Sequence, residues 1–247
     1  MFNSIHEECG VFGIYTNKPT NVASSAYFAL YALQHRGQES CGIVVNERGV
    51  FKTHKGLGLV NEVFTQRVLD EFEDGHIAVG HVRYSTTGNV NTANCQPITV
   101  RHIKGALAIA HNGNLINALD LRREFEMNGA IFHSTSDTEV ISYAITKERL
   151  ECGSIQEAVE RAMYRINGAY SLCIMSPKKL IAARDPHGFR PLCLGRLPND
   201  EGYVVASETC AFDSIGARFV RDIEPGEIVV IDEKGIDSIK THCGKPS

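Results

Sequence analysis

The spacing of apolar residues changes repeatedly along the chain. Gly10 to Tyr15 is apolar or glycine at every position, which predicts a short strand covered on both faces. From Asn21 to Gln34 the period lengthens. Ala23, Ala26, Tyr27, Leu30 and Leu33 fall three or four apart and Gly37 follows, so a helix is predicted over 21–34. Cys41–Val45 and Val50–Thr53 flank Asn46-Glu47-Arg48-Gly49 and predict a hairpin. Val63, Phe64, Val68, Leu69 and Phe72 mark a second helix, and Leu115–Asn128 a third with Gly129 just past its end. Two capping-box patterns, Ser136-Asp137-Thr138-Glu139 and Ser154-Ile155-Gln156-Glu157, open helices predicted to run to about Leu150 and to Ile166. Further strands are predicted at Ile77–Tyr84, Ala106–His111, Ala169–Met175, Leu180–Arg184, Leu192–Arg196, Tyr203–Ser207 and Glu227–Asp232. Strands and helices mix without regular βαβ alternation, so the fold class is α+β in one domain. Residues 241–247 carry no periodic pattern and read as the start of a linker.

Composition narrows the class. A chain of 247 residues that is 43% apolar can bury a sizeable core and is not a disordered polymer. No apolar run approaches the ~18 residues of a membrane span. A net charge of −4, from 25 basic and 29 acidic residues, argues against a general nucleic-acid surface. The eight cysteines form no CxxC pair, and Cys173 sits inside an apolar run. They read as buried free thiols in a reducing, cytoplasmic setting. Met1 to Glu8 lacks the basic start and apolar stretch of a secretory signal.

Polar, glycine-containing clusters fall at the ends of apolar strands, where rigid scaffolds place functional groups. They are Cys9-Gly10, Gln34-His35-Arg36-Gly37-Gln38-Glu39, His81 to Gly88, His111-Asn112-Gly113-Asn114 and Ser136-Asp137. Each alone has a plainer reading: Asn-Gly as a turn, Ser-Asp as a helix start, Cys-Gly as a buried thiol. Taken in order, Cys9 to Ile14, Leu33 to Glu39, Gly80 to Thr86, Ala110 to Leu115 and Thr135 to Glu139 resemble the glutaminases of the class II glutamine amidotransferases, which use an N-terminal nucleophile. Arg184 to Leu192 and Ser207 to Asp213 resemble later motifs of the branch that acts on phosphoribosylpyrophosphate. Other branches, typified by glucosamine-6-phosphate synthase, asparagine synthetase and glutamate synthase, are the alternative. The motif at 185–192 and the leader before Cys9 argue against them.

The resemblance implies a four-layer αββα sandwich acting on L-glutamine. Cys9 would be the nucleophile. Its α-amine, with a reference pKa of ~7.7–8.0, would take the thiol proton once the chain begins there. Asn112 and Gly113 would stabilise the oxyanion. Arg83 would hold the substrate α-carboxylate with help from Thr86, Asp137 would hold the α-ammonium, and Arg36 and Gly37 would line the pocket. His81 and His111 are expected to be structural. Cys9 is not residue 2, so 1–8 read as a propeptide removed by autoprocessing, 9–240 as the glutaminase domain and 241–247 as a linker. Nothing in the chain resembles a phosphoribosyl-binding loop. The branch joins its glutaminase to a C-terminal phosphoribosyltransferase domain and forms homo-oligomers when full length. No cofactor or metal is expected within these residues, and Cys243 reads as a linker thiol. Mg2+ and an iron–sulfur cluster are expectations for the longer enzyme only.

Overall fold

The computed structural model describes residues 8–84 and 91–244. The chain runs β1 (Gly10–Thr20), α1 (Val22–Ala32), β2 (Ser40–Glu47), β3 (Val50–Leu57), α2 (Val60–Val63), α3 (Gln66–Asp70) and β4 (Gly75–Arg83). It continues with β5 (Ile98–His102), β6 (Gly105–Leu115), α4 (Ala118–Met127), α5 (Asp137–Glu151), α6 (Ile155–Ala162), β7 (Gly168–Met175) and β8 (Leu180–Arg184). Last come β9 (Cys193–Arg196), β10 (Gly202–Ala206), α7 (Cys210–Asp213), β11 (Arg218–Asp222), β12 (Ile228–Asp232) and β13 (Gly235–Ile239).

The strands form two sheets, ordered β11-β9-β10-β1-β4-β2-β3 and β13-β12-β8-β7-β6-β5. Three separate apolar cores fix the layering. Val11, Tyr15, Val79, Ala110, Cys173 and Val205 pack between the sheets. On the outer face of the first sheet, Phe12, Ile14 and Val82 pack on Ala26 and Leu30 of α1 and Phe212 of α7. On the outer face of the second, Ile109, Leu172 and Ile174 pack on Ile141 and Ile145 of α5 and Val159 of α6. Alternate residues of β1 thus enter two different cores, which is why its sequence is apolar without alternation. The order is helix, sheet, sheet, helix, the αββα sandwich.

Several expected boundaries move. The helix expected across Val63–Phe72 is two short helices, broken at Phe64 (φ −104°, ψ 75°), whose ring is buried. The helix expected from Leu115 starts only at Ala118, because Asn114 and Leu115 pair with Ala169 and Gly168 of β7. The helix after Ser154 ends at Ala162, short of Ile166. Glu139 does not return to the N-cap Ser136. Its carboxylate instead accepts from the backbone N–H groups of His133 (2.9 Å) and Ser134 (2.8 Å). Strands β5, β11 and β13 are sheet edges whose largely exposed, polar residues give no apolar pattern.

Candidate active site

Pairing of Gly10 with Val82 sets Cys9 beside the end of β4, where Arg83 and Tyr84 follow. The Cys9 thiol lies against the Tyr84 backbone, 3.6 Å from its oxygen and 3.5 Å from its nitrogen. Burial raises the thiol pKa; the Tyr84 backbone contact and the cations Arg83 and Arg36 pull it down, and Asp137 pushes it up. Three of the expected site residues therefore act electrostatically on one sulfur. Arg36, just past α1, donates from Nε to the Cys9 carbonyl at 3.0 Å. Its other nitrogens bind Glu208 and, at 3.3 Å, Glu8. Arg190 also pairs with Glu8.

Gly37 answers a steric demand. A Cβ there would meet the backbone carbon of Arg83 at 2.6 Å, so only glycine lets the loop after α1 lie on the end of β4. The contact is tied by Glu39 N–H donating to the Arg83 carbonyl at 3.0 Å. Arg83 is four-fifths buried, and Glu39 holds one of its guanidinium nitrogens. Among the described residues no other group binds that guanidinium, so none of them competes with a ligand for the rest of the planar fork.

The end of β6 supplies the third wall. Asn112 is 1% exposed, yet its side-chain Nδ2 has no partner among the described residues. A buried donor without an acceptor costs roughly 1–3 kcal/mol, so natural folds keep few of them. Gly113 follows at φ +142°, and a Cβ there would meet the Ala169 oxygen at 2.0 Å. A side chain is excluded at this position by both conformation and space.

Asp137 opens α5 behind the Ser136 N-cap. Its carboxylate accepts from the Leu115 N–H at 3.0 Å and lies 3.4 Å from His111 Nδ1, so helix start and strand end are locked together. Burial would raise its pKa, but His111 and the Leu115 and Thr138 N–H groups outweigh this and hold it below the usual carboxylate range. It is a fixed anion. His81 Nε2 donates to the His111 carbonyl at 2.9 Å and so links the two sheets. Burial drives its pKa down to about 3, so the ring is neutral and acts as a structural tie.

The structure thus gathers Cys9, Arg36, Gly37, Arg83, Asn112, Gly113 and Asp137 at one end of the sandwich. Thr86 and the first seven residues lie outside the described residues. Sequence reasoning did not single out Glu39, Glu208 or Arg190, although each stands inside a quoted motif. The missing signal is pairing, because Glu208 meets its arginine across 172 residues of sequence. Two clefts of about 390 and 460 Å³ lie elsewhere, and neither is lined by Cys9, Arg83, Asn112 or Asp137. Among the described residues the cysteines do not group to ligate an iron–sulfur cluster, and no all-acidic trio sits together to hold Mg2+. Among the described residues no helix is long and apolar enough to cross a membrane.

Comparison with known proteins gives a consistent set of similarities. Residues 81–214 match the model of the glutamine amidotransferase domain family. The chain is 47% identical over 236 residues to an amidophosphoribosyltransferase of Methanocaldococcus jannaschii, covering 96% of this chain and 50% of that one. It is 47% identical over 243 residues to the chloroplastic amidophosphoribosyltransferase 2 of Arabidopsis thaliana, covering 97% and 41%. The solved glutamine phosphoribosylpyrophosphate amidotransferase of B. subtilis superposes with a TM-score of 0.85 at 42% identity, covering 94% of this chain and 49% of that one. A class II domain protein from Silicibacter pomeroyi shares the fold at a TM-score of 0.62 and 16% identity, covering 94% and 99%. The chain spans about half the length of the curated relatives it matches.

Proposed function

The chain belongs to the glutamine amidotransferase family, and we propose that it is the glutaminase part of a longer enzyme. On this reading Cys9 is the nucleophile once the Glu8–Cys9 bond is cut. The freed α-amine takes the thiol proton, and the thiolate attacks the side-chain carbonyl carbon of L-glutamine. Asn112 Nδ2 and the Gly113 N–H hold the developing oxyanion. The tetrahedral adduct collapses, the C–N bond breaks and ammonia leaves with the proton returned from the amine. Water then hydrolyses the glutamyl thioester and releases glutamate.

Arg83 binds the substrate α-carboxylate, with Thr86 assisting, and Asp137 binds the α-ammonium. Glu39 orients Arg83, while Arg36 and Gly37 shape the floor. In the full enzyme the ammonia would pass to a C-terminal phosphoribosyltransferase domain. There it would make phosphoribosylamine from phosphoribosylpyrophosphate, the opening step of purine synthesis. Residues 1–8 serve as propeptide, 9–240 as the glutaminase and 241–247 as the linker. Magnesium, an iron–sulfur cluster and homo-oligomer formation would belong to that longer protein.

The observation that carries the reading is the buried Asn112 amide with no partner among the described residues, in the strand end that Asp137 locks in place. A donor left unpaired at that cost is accounted for if a substrate oxygen pairs it. The test is Cys9→Ala in the cut chain. It should lose both ammonia release from glutamine and covalent labelling by a glutamine-like electrophile, with an unchanged melting curve. Retained labelling would overturn the assignment of Cys9.

A further inference from the structure

We propose that His35, Glu208 and Cys210 form a binding site for a divalent metal ion of the zinc type, beside the Arg36–Glu208 pair. Sequence gives no hint of it, because His35 and Glu208 are 173 residues apart. The fold brings His35, just past α1, to the corner between β10 and α7. There an imidazole nitrogen, a carboxylate oxygen and the Cys210 sulfur all lie within 4.8 Å of one another.

The hydrogen bonding of His35 argues for a cation. Its Nδ1 faces the Ala32 carbonyl at 3.0 Å, and its Nε2 faces Glu208 Oε2 at 3.0 Å. Both partners only accept, whereas a neutral imidazole has one N–H. With Nδ1–H on the carbonyl, Nε2 and Oε2 point lone pairs at each other unless a proton or a metal ion sits between them. A backbone carbonyl on the far nitrogen is also the usual support of a metal-bound histidine, and it fixes the tautomer that leaves Nε2 free.

The ligand types and both separations to Glu208 suit zinc. Tetrahedral coordination with ordinary bond lengths places nitrogen and oxygen ligands ~3.4 Å apart, and sulfur and oxygen ~3.6 Å apart. The observed separations are 3.0 Å for His35 to Glu208 and 3.8 Å for Cys210 to Glu208. Small side-chain movements close both differences. Binding would displace the thiol proton of Cys210 to solvent, leaving a thiolate ligand. The His35 ring is 54% exposed, which leaves an entry path and room for a water as fourth ligand. Arg36 takes only Oε1 of Glu208, so a metal on Oε2 would leave that pair intact. The ion would then fix Glu208, and through Arg36 the Cys9 carbonyl.

The test is titration of the 247-residue chain with Co2+ as a spectroscopic stand-in. One equivalent should bind, giving a thiolate-to-cobalt charge-transfer band and the visible bands of a tetrahedral ion, and Zn2+ should bleach both. Cys210→Ser should abolish the charge-transfer band. His35→Ala should weaken binding by at least the ~10–100-fold that loss of even an outer partner costs. Cys243→Ser, which removes another partly exposed thiol, should keep the spectrum. Zn2+ should raise the melting temperature of the parent and not of Cys210→Ser. If Cys210→Ser fails to fold, His35→Ala decides by itself, since its ring is half exposed. No charge-transfer band at saturating Co2+, or a band that survives both substitutions, would leave His35 as an imidazolium paired with Glu208 and overturn the proposal.

Discussion

At Glu227 both carboxylate oxygens are fully used, whereas at Asn112 a buried amide nitrogen has no partner among the described residues. Glu227 is completely buried. One oxygen accepts from Arg221 (2.6 Å) and Ser238, the other from Arg221 (2.7 Å) and the Glu224 N–H (2.8 Å). Arg221 is bidentate, the strong form of this pair. Around Asn112 the neighbouring rings repeat the opposite pattern: His81 Nδ1 and His111 Nε2 also lack partners among the described residues. A saturated buried network serves the fold, and on the proposed function the Asn112 donor is kept for the substrate oxygen. The two corners should therefore respond to mutation in different currencies, one in stability and one in rate.

The largest effect is expected at Asn112. Asn112→Asp is nearly isosteric but replaces a donor with a charge beside a developing charge, so kcat for glutamine hydrolysis should fall by ~10²–10³. KM should change far less, because the donor acts mainly in the transition state. Steady-state kinetics with a melting curve check this, and kcat within about threefold of the parent, only ~0.65 kcal/mol, would reduce Asn112 to a structural residue of β6. Glu227→Ala should do the reverse. Stability in urea should drop by about 3 kcal/mol, the low end for a broken buried pair because Arg221 can reach water, with glutamine kinetics unchanged.

Next comes Arg83→Lys, which swaps a planar fork for a point charge. It should raise KM about tenfold, or ~1.4 kcal/mol, with kcat nearly preserved. An unchanged KM would move the carboxylate site to other residues. The smallest effect is acid sensitivity. Glu227 burial raises its pKa, but Arg221, Ser238 and the Glu224 N–H win and hold it at about 2 against an ordinary 4.5. A depressed carboxylate stabilises fully above its unfolded pKa and loses that contribution as pH falls toward the folded one. The stability gap between parent and Glu227→Gln should thus be constant above about pH 5 and narrow toward pH 2, as read from urea melts across that range.

The two corners also differ in how far sequence foretold them. Asn112, Gly113 and Arg83 could be found as polar clusters ending apolar strands and Asp137 as a capped helix start, because local chemistry marks them. The Glu227 network could not, since Arg221 and Ser238 lie on edge strands β11 and β13 with no apolar pattern. Glu39 and Glu208 escaped because ion pairing depends on which loops the sheets bring together. The central strands were legible because burial on two faces imposes unbroken apolar runs, as in β1. Strand β6 overran the expected helix start at Leu115 because ladder pairing with β7 outweighed a helical pattern that begins in its last residues.

Cleavage before Cys9 tests the account most directly. While Glu8 is attached, the Cys9 nitrogen is an amide with no basic lone pair, and burial keeps the thiol protonated. Ammonia release from glutamine should be compared for a chain that begins at Cys9 and one that retains Glu8, with intact mass confirming each. Hydrolysis and electrophile labelling are expected only in the chain that begins at Cys9. Equal rates in the two would contradict it, because some group other than the α-amine would then be activating the thiol.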